Sequence, residues 1–336
     1  MRTVQFYWIN FFPIIMVCFF ISVQVALILS ISSLIAAENA LVIITIWKDP
    51  FKQLKGTPAN ILILNLAISD LLMGIAVWPL NCLLNWYSHE SLLRAALSTG
   101  HLAYGASCLT ILSLAVERLI VITYPLRSAD YLTSSYLIPG IITSIWFFAC
   151  LSALRPIISL NSYCSYVTYV TDDSFGILVI ILILACYTKI YFIVRGMLHR
   201  DITRDPTPEE WQPEKQYLLE SARRIEKLKR KEKSVACTVF IIVVIYIVCW
   251  VPVYALRNLN KSCNRYNLQF AADLFLLLHP ILNPLAYSLC TKKFQRALWR
   301  IYQGLCHHGN NETPESTRFP CGTIVPAKPR IVEFSF

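Results

Sequence analysis

Three charged residues could do chemistry here, and the first stands inside an apolar run that should not tolerate it. Asp70 lies in Leu66-Ala67-Ile68-Ser69-Asp70-Leu71-Leu72, Arg118 follows Glu117 near the end of a long apolar run, and Glu232 stands eighteen residues before Trp250. An ionisable group in such a setting marks a function or a buried polar network. Asn39 and Asn283 fall at depths matching Asp70 in other apolar runs. The three can form a hydrogen-bonded knot, and the same oxygens can also hold a monovalent cation. Arg118 can pair with its neighbour Glu117 or, across helices, with Glu232. An exposed ion pair contributes at most about 1 kcal/mol. Between two helices, such a pair serves as a latch that a partner's contacts can offset. None of this is the chemistry of turnover: the six histidines are scattered and Asp70 is the lone acidic residue of its span, so no enzyme is expected.

The elements that must position these residues follow from composition. Of 336 residues, 56% are hydrophobic and only 15% charged, with a mean hydropathy of +0.54. That balance selects an integral membrane protein. Apolar runs long enough to cross roughly 30 Å of hydrocarbon as helices occur at about 19–47, 59–85, 95–123, 134–156, 174–198, 235–258 and 267–290. The expected fold is therefore an all-α bundle of seven transmembrane helices over 19–290. The net charge of +10 lies in short segments between spans, so it sets orientation in a lipid bilayer and does not point to nucleic acid. With the amino terminus outside, 24 of the 30 Lys and Arg fall on the cytoplasmic side, including the basic run Arg223 to Lys233 in a long polar loop at about 199–233. The positive-inside rule thus gives an extracellular amino terminus and a cytoplasmic carboxyl terminus.

The ends of the chain extend this picture. Residues 1–18 form a short apolar stretch, readable as an interfacial overhang or, because Arg2 precedes an apolar run, as a cleaved signal. At 291–303, Phe294, Leu298 and Ile301 oppose Lys292, Lys293, Arg296 and Arg300, which predicts an amphipathic eighth helix on the membrane surface, with Cys306 a candidate for acylation. Residues 304–336 are expected to be a disordered tail. Of twelve cysteines, Cys18, Cys108, Cys150, Cys186, Cys237 and Cys249 lie in apolar runs, where small apolar packing is expected. Cys82, Cys164 and Cys263 fall where an oxidising exterior could cross-link them. Asn260-Lys261-Ser262 is the exterior glycosylation sequon.

Helical arithmetic groups the remaining candidates. Gly100, Tyr104, Ser107, Ile111, Leu114 and Arg118 lie at offsets 0, 4, 7, 11, 14 and 18 on one face of the third span. Eighteen residues make five turns, about 27 Å. The same spacing carries Trp250 down to Glu232. On the sixth span Trp250, Tyr254 and Arg257 share a face; on the seventh, Asp273, Leu277, Pro280 and Pro284 do so. With His101 and Tyr104 they define a cavity with aromatic walls and a polar rim, unless Arg257 and Asp273 pair and close it. Pro252, Pro280 and Pro284 each remove a backbone hydrogen bond and kink their helices, either as fixed bends or as the hinges of a two-state bundle.

Taken in order, these residues resemble the rhodopsin-like (class A) G protein-coupled receptor family over roughly 30–303. The matches are Asn39; Leu66-Ala67-Ile68-Ser69-Asp70; Glu117-Arg118-Leu119 with Ile122-Thr123-Tyr124-Pro125-Leu126; Trp146; Tyr187 and Ile190; Cys249-Trp250-Val251-Pro252; Asn283-Pro284-Leu285-Ala286-Tyr287; and Phe294. The resemblance implies that Arg118 is held by Glu117 and Glu232 at rest and meets a heterotrimeric G protein with Tyr187 and Tyr287 when released. Trp250 would sense an extracellular ligand, and Asp70, Ser107, Asn39 and Asn283 would form an allosteric sodium site. No other cofactor is implied, and the location is the plasma membrane.

Departures from the family pattern are informative. His279 and Pro280 replace a common asparagine and serine, Leu119 a tyrosine, Tyr246 a phenylalanine and Val179 the fifth-helix proline. Leu93 replaces the third-helix cysteine, so Cys164 lacks its usual partner and can pair with Cys82 or Cys263 or remain free. The last two losses are similar to the melanocortin-like group, and cannabinoid-like receptors share the missing cysteine. Gly100 at the aminergic aspartate position argues against a monoamine, and Leu277 at the retinal-lysine position against a photopigment. Small peptides, nucleosides and lipids stay open. A receptor-like protein that binds without signalling is the alternative; a transporter would require repeats or broken helices that seven unlike spans do not show.

Overall fold

The computed structural model describes residues 2–84, 86–87, 89–124, 136–158, 162–203, 237–256 and 265–308; for 2–17, 162–173, 197–203, 265–269 and 305–308 only the backbone is described. Eight helices cover nearly all of them: α1 Arg2–Lys48, α2 Pro58–Leu84, α3 Glu90–Thr123, α4 Leu137–Ile158, α5 Ser162–Thr203, α6 Cys237–Leu256, α7 Arg265–Cys290 and α8 Lys292–His308. The first seven each contain a segment long and apolar enough to cross a membrane. In hydrocarbon every backbone amide must be satisfied within its own segment, which leaves the helix as the form these runs can take. The outward faces are correspondingly apolar: Phe147, Phe148, Ile181 and Phe192 are all more than half exposed.

The observed ends differ from expectation in three places. The expected overhang at 1–18 and span at 19–47 are one continuous helix, because the apolar run from Phe6 onward offers no water to compete for its amides. Helix α5 runs past both expected ends, 174 and 198, and α8 continues from the expected 303 to His308. Three cysteines expected to pack inside, Cys18, Cys150 and Cys237, are exposed on the outer surface, whereas Cys108 and Cys249 are buried. A thiol is apolar enough to face lipid, so burial does not follow from its place in an apolar run.

Small residues and prolines explain the packing. Helix α3 lies against α2, α4 and α5, and α1 lies against α2 and α7. Between α1 and α2 the approach is backbone to backbone: a Cβ on Gly74 would lie 2.8 Å from the Ala36 nitrogen and 2.9 Å from the Ser32 carbonyl oxygen. Ser32 Oγ donates to the Gly74 carbonyl at 2.6 Å. Gly74 sits within a π-helical turn, Met73–Val77, two residues before Pro79, whose missing N–H disrupts the regular ladder. Gly105 of α3 faces Ala149 and Ser152 of α4, where a Cβ would make ordinary contacts at 3.4–3.7 Å, a small-residue interface of the kind that packs helices in lipid.

The turn from α1 to α2 is built around one side chain. Asp49, at φ 33°, adopts the left-handed conformation that aspartate tolerates better than most residues. Its carboxylate accepts the amides of Gln53, Leu54 and Lys55 at 2.9, 3.0 and 3.0 Å. Burial alone would push this carboxyl up, but the amides of Lys55, Gln53 and Leu54 and the Lys55 charge outweigh it and hold it below its ordinary value. At the other end, α8 is fastened to α7 by the Tyr287–Phe294 ring contact and by Gln295 Nε2, which donates to the Ser288 and Leu289 carbonyls at 2.6 and 3.3 Å. Phe294, Ala297 and Ile301 are buried and Lys292, Arg296 and Arg300 exposed, the amphipathic split expected of a surface helix.

Candidate functional site

A continuous set of buried polar and aromatic groups runs through the bundle from Arg118 to Tyr254. At its Arg118 end, α3 brings Glu117 and Arg118 into the protein, only 3% and 5% exposed. Arg118 Nε and Nη2 donate to the two carboxylate oxygens of Glu117, a bidentate pair within one helix. Tyr187 on α5 lies within electrostatic range of both charges, and its hydroxyl is buried without a hydrogen-bond partner. The Tyr187 ring packs on Phe240 of α6, centroids 5.7 Å apart. The hydroxyl of Tyr287 on α7 is buried and unpartnered too. Nearby, Thr238 of α6 and Thr291 after α7 share a hydrogen bond of 3.1 Å, a tie that sequence reasoning missed. Glu232 lies outside the described residues.

At mid-depth the structure assembles the predicted polar knot. Asn283 Nδ2 donates to Asp70 Oδ2 at 2.8 Å, and Ser107 Oγ donates to Oδ1 at 3.4 Å. Asp70 and Asn283 are wholly buried, and Ser107 and His279 are 1% exposed. Asn39 does not reach the carboxylate. Its Nδ2 donates instead to the carbonyls of Ile35 and Pro280, at 3.0 and 3.1 Å. The second bond has a reason in the sequence: Pro284 has no N–H to offer the Pro280 carbonyl four residues earlier, and Asn39 supplies a donor. Asn39 Oδ1, Asn283 Oδ1 and both ring nitrogens of His279 remain without partners.

The aromatic half lies one to two turns farther along. Trp250 is flanked by Tyr104 (5.4 Å, 89°), Tyr246 (5.8 Å, 44°) and Tyr254 (5.7 Å, 33°). Tyr246, fully buried, donates its hydroxyl to Cys108 Sγ at 3.1 Å and meets the His279 ring edge-on at 5.6 Å. The tyrosine that departs from the family pattern therefore joins α6 to α3 by a bond that phenylalanine cannot make. Tyr254 fits only because residue 176 is glycine: a Cβ there would lie 1.7 Å from the Tyr254 hydroxyl. Pro252 is half-buried two residues beyond Trp250.

Other predicted residues are placed less closely. The His101 ring nitrogen bonds its own helix at the Leu97 carbonyl, 2.6 Å away, and Asp273 is half-buried on α7. Arg257, Asn260 and Cys263 lie outside the described residues, as do the side chains of Cys164 and Cys306. Cys82 is buried near the end of α2. One network was not anticipated at all. Asn65 Nδ2 donates to Thr110 Oγ1 at 2.7 Å, and Trp146 Nε1 donates to Asn65 Oδ1 at 2.9 Å, joining α2, α3 and α4. Asn65 and Thr110, each buried polar in an apolar run, were the available signal.

Comparison with known proteins agrees with this geometry. Residues 38–287 match the family "7 transmembrane receptor (rhodopsin family)". Sphingosine 1-phosphate receptor 3 of Takifugu rubripes is 26% identical over 86% of this chain and 73% of its own length. Sphingosine 1-phosphate receptor 1 of Danio rerio is 27% identical over 81% and 76%, and a QRFP-like peptide receptor of Branchiostoma floridae 23% over 77% and 71%. The match covers every element that carries the polar core, from Asn39 to Tyr287, and the chain therefore belongs to the rhodopsin-like, class A family of G protein-coupled receptors.

Proposed function

We propose that this receptor binds an extracellular ligand in the cavity beside Trp250 and activates a heterotrimeric G protein at the Arg118 end. The observation that carries the reading is the buried Glu117–Arg118 pair, with the Tyr187 and Tyr287 hydroxyls buried and unpartnered beside it. Leaving buried hydroxyls unpaired is unfavourable, so a second packing in which these groups find partners is accessible. Ligand outside and G protein inside each bias the bundle toward it. The amino terminus faces outward in this reading and the basic loop faces the cytoplasm.

The Asp70 region fits a sodium ion. The Asp70 carboxylate, the Ser107 hydroxyl and the unsatisfied Asn39 and Asn283 oxygens are hard donors suited to an alkali cation. Bound there, the ion would supply positive charge that holds the resting packing. For the ligand, a lipid amphiphile is favoured: the two sphingosine 1-phosphate receptors align over most of both chains, and aromatic rings cluster around Trp250. A small peptide is the second reading, supported by the peptide-receptor relative.

A lipid and peptide library, screened in transfected cells by G protein dissociation, tests the whole reading. A hit lost in Arg118→Ala but still bound at the surface supports it. A ligand that binds with no dissociation of any G protein class identifies a receptor that does not signal by this route. In the same cells Glu232→Ala should raise basal activity several-fold at equal surface expression, and unchanged activity removes the latch. Added sodium should lower agonist affinity in the wild type and have no effect in Asp70→Asn.

A further inference from the structure

At the Arg118 end, two adjacent residues that open α6, Cys237 and Thr238, face two at the close of α7, Cys290 and Thr291. We propose that Cys237 and Cys290 are a peroxide-sensitive thiol pair that closes to a disulfide and fastens α6 to α7.

Contact comes first. Thr238 Oγ1 and Thr291 Oγ1 share their 3.1 Å hydrogen bond across the seam between the helices. Beside it, the Cys290 thiol lies within hydrogen-bonding reach of both the Cys237 thiol and the Thr238 hydroxyl. The two helices therefore meet in two rungs, one of hydroxyls and one of sulfurs. Both cysteines are thiols in this structure. A disulfide holds its Cβ atoms roughly 3.5–4.5 Å apart. Thiols already in contact approach that separation by side-chain rotation, without translation of either helix.

Access comes second. Cys237 is exposed and Cys290 half-buried, whereas Cys108 and Cys249 are enclosed by the bundle. Cys237 begins the apolar span of α6 and Cys290 ends that of α7, and Lys292 of α8 stands exposed two residues on. The pair therefore sits at the boundary between membrane and water, where a small neutral oxidant can reach it. In the orientation of the proposed function, on which the signalling consequence rests, that water is the cytoplasm. Disulfides there are characteristically transient and redox-sensing.

The oxidant is hydrogen peroxide. One thiol gives up its proton and the thiolate attacks a peroxide oxygen: the S–O bond forms, the O–O bond breaks, and the departing hydroxide takes that proton to become water. The second sulfur then attacks the sulfenic sulfur. The S–S bond forms, the S–O bond breaks, and the second hydroxide leaves with the second thiol's proton as another water. Two thiols have lost two electrons and one peroxide has gained them. A cellular dithiol reverses the bond by exchange. The consequence follows from position. Cys237 lies three residues before Phe240, whose ring packs on Tyr187, and Cys290 lies three after Tyr287. A bond made while the helices touch holds the packing in which they touch, so oxidation opposes the second packing that G protein favours.

The test uses the full-length receptor in nanodiscs, first reduced and then exposed to hydrogen peroxide. After alkylation and digestion without reductant, mass spectrometry should find the peptide containing Cys237 joined to the one containing Cys290. The link should vanish with dithiothreitol and in Cys237→Ser, and persist in Cys150→Ser, whose thiol is exposed on α4. Should Cys237→Ser fold poorly, Cys290→Ala must abolish the same link. Oxidation should raise the thermal midpoint of the wild type and leave Cys237→Ser unmoved, a readout that needs no G protein. Oxidised wild type should also lose most of its G protein activation, and dithiothreitol should restore it. A receptor that activates no G protein even when reduced overturns the signalling reading alone, because the link and the thermal shift still report on the thiol pair. Separate oxidation of the two cysteines to sulfinic acids without a link, links spread over the other thiols, or a link that leaves midpoint and activation unchanged would overturn the proposal.

Discussion

Two polar clusters lie inside the bundle, built from similar residue types but completed to different degrees. In the Asn65–Thr110–Trp146 cluster the amide, hydroxyl and indole groups satisfy one another: Asn65 uses both ends of its amide, and Thr110 accepts from it while donating to the Ala106 carbonyl at 2.6 Å. In the Asp70–Ser107–Asn283 cluster two bonds reach the carboxylate, and Asn39 Oδ1, Asn283 Oδ1 and both His279 nitrogens are left over. A completed network has one arrangement and acts as a staple. An incomplete one has several arrangements of similar energy, and a cation, water or a rotated helix can choose among them. The staple joins α2, α3 and α4, which carry no proline at that depth. The incomplete cluster borders α7 at Pro280 and Pro284, where the backbone ladder is already interrupted.

The sharpest way to break this contrast is to delete one asparagine from each cluster. Asn65→Ala leaves the Trp146 N–H and the Thr110 hydroxyl short of a partner and should lower stability by about 1–2 kcal/mol. The readout is the thermal midpoint of purified receptor, with ligand potency little changed. Asn283→Ala should do the reverse, with a midpoint close to wild type and basal or agonist-driven G protein activation altered several-fold. Equal losses of stability in the two variants would show that both clusters are staples.

How far the sequence reveals these clusters depends on what each residue needs. Seven spans, the amphipathic α8 and the inward faces of α3, α6 and α7 were legible because hydrocarbon enforces helices and periodicity reports their faces. Asp70, Asn283 and Arg118 were legible because charge and amide groups are rare at depth. The bond from Asn39 to the Pro280 carbonyl was not, since it depends on a carbonyl freed by a proline on another helix. Nor was the Asn65 staple: its members stand on three different spans, and only the crossing of α2, α3 and α4 brings them together. The π-turn at Met73–Val77 escaped notice because apolar periodicity does not register one extra residue in a turn.

His279 offers a smaller test. Both its nitrogens are buried and unsatisfied, and its ring lies edge-on to Tyr246. His279→Phe keeps an aromatic ring while removing two desolvated polar atoms. It should therefore stabilise the resting receptor by about 1 kcal/mol and weaken agonist response, seen as a raised thermal midpoint with lower potency. A fall in stability would mean that the imidazole is satisfied by ordered water, which moves it from the incomplete cluster toward the staple. Tyr246→Phe removes only a bond to sulfur, a weak acceptor. Its cost should be about 0.5 kcal/mol, detected as an increase of less than threefold in basal activity.

The smallest effect comes from a third network, completed like the Asn65 staple, at the water's edge. Asp49 holds three amides of the α1–α2 turn, and its carboxyl is kept below the ordinary aspartate range. A depressed folded-state value means that the carboxylate's contribution is present above the unfolded aspartate value and is lost as pH falls through the lower, folded one. Amide exchange at Gln53, Leu54 and Lys55, corrected for intrinsic rates, should therefore accelerate only in acid, below the ordinary carboxylate range. Asn65, Thr110 and Trp146 contain no titratable group, so exchange around that staple should not change over the same interval. If the α1–α2 turn is equally indifferent to acid, the three amides are held by the backbone path alone and Asp49 is not its keystone. If it opens while the staple does not, completeness of hydrogen bonding protects a network only as long as its acceptor keeps its charge.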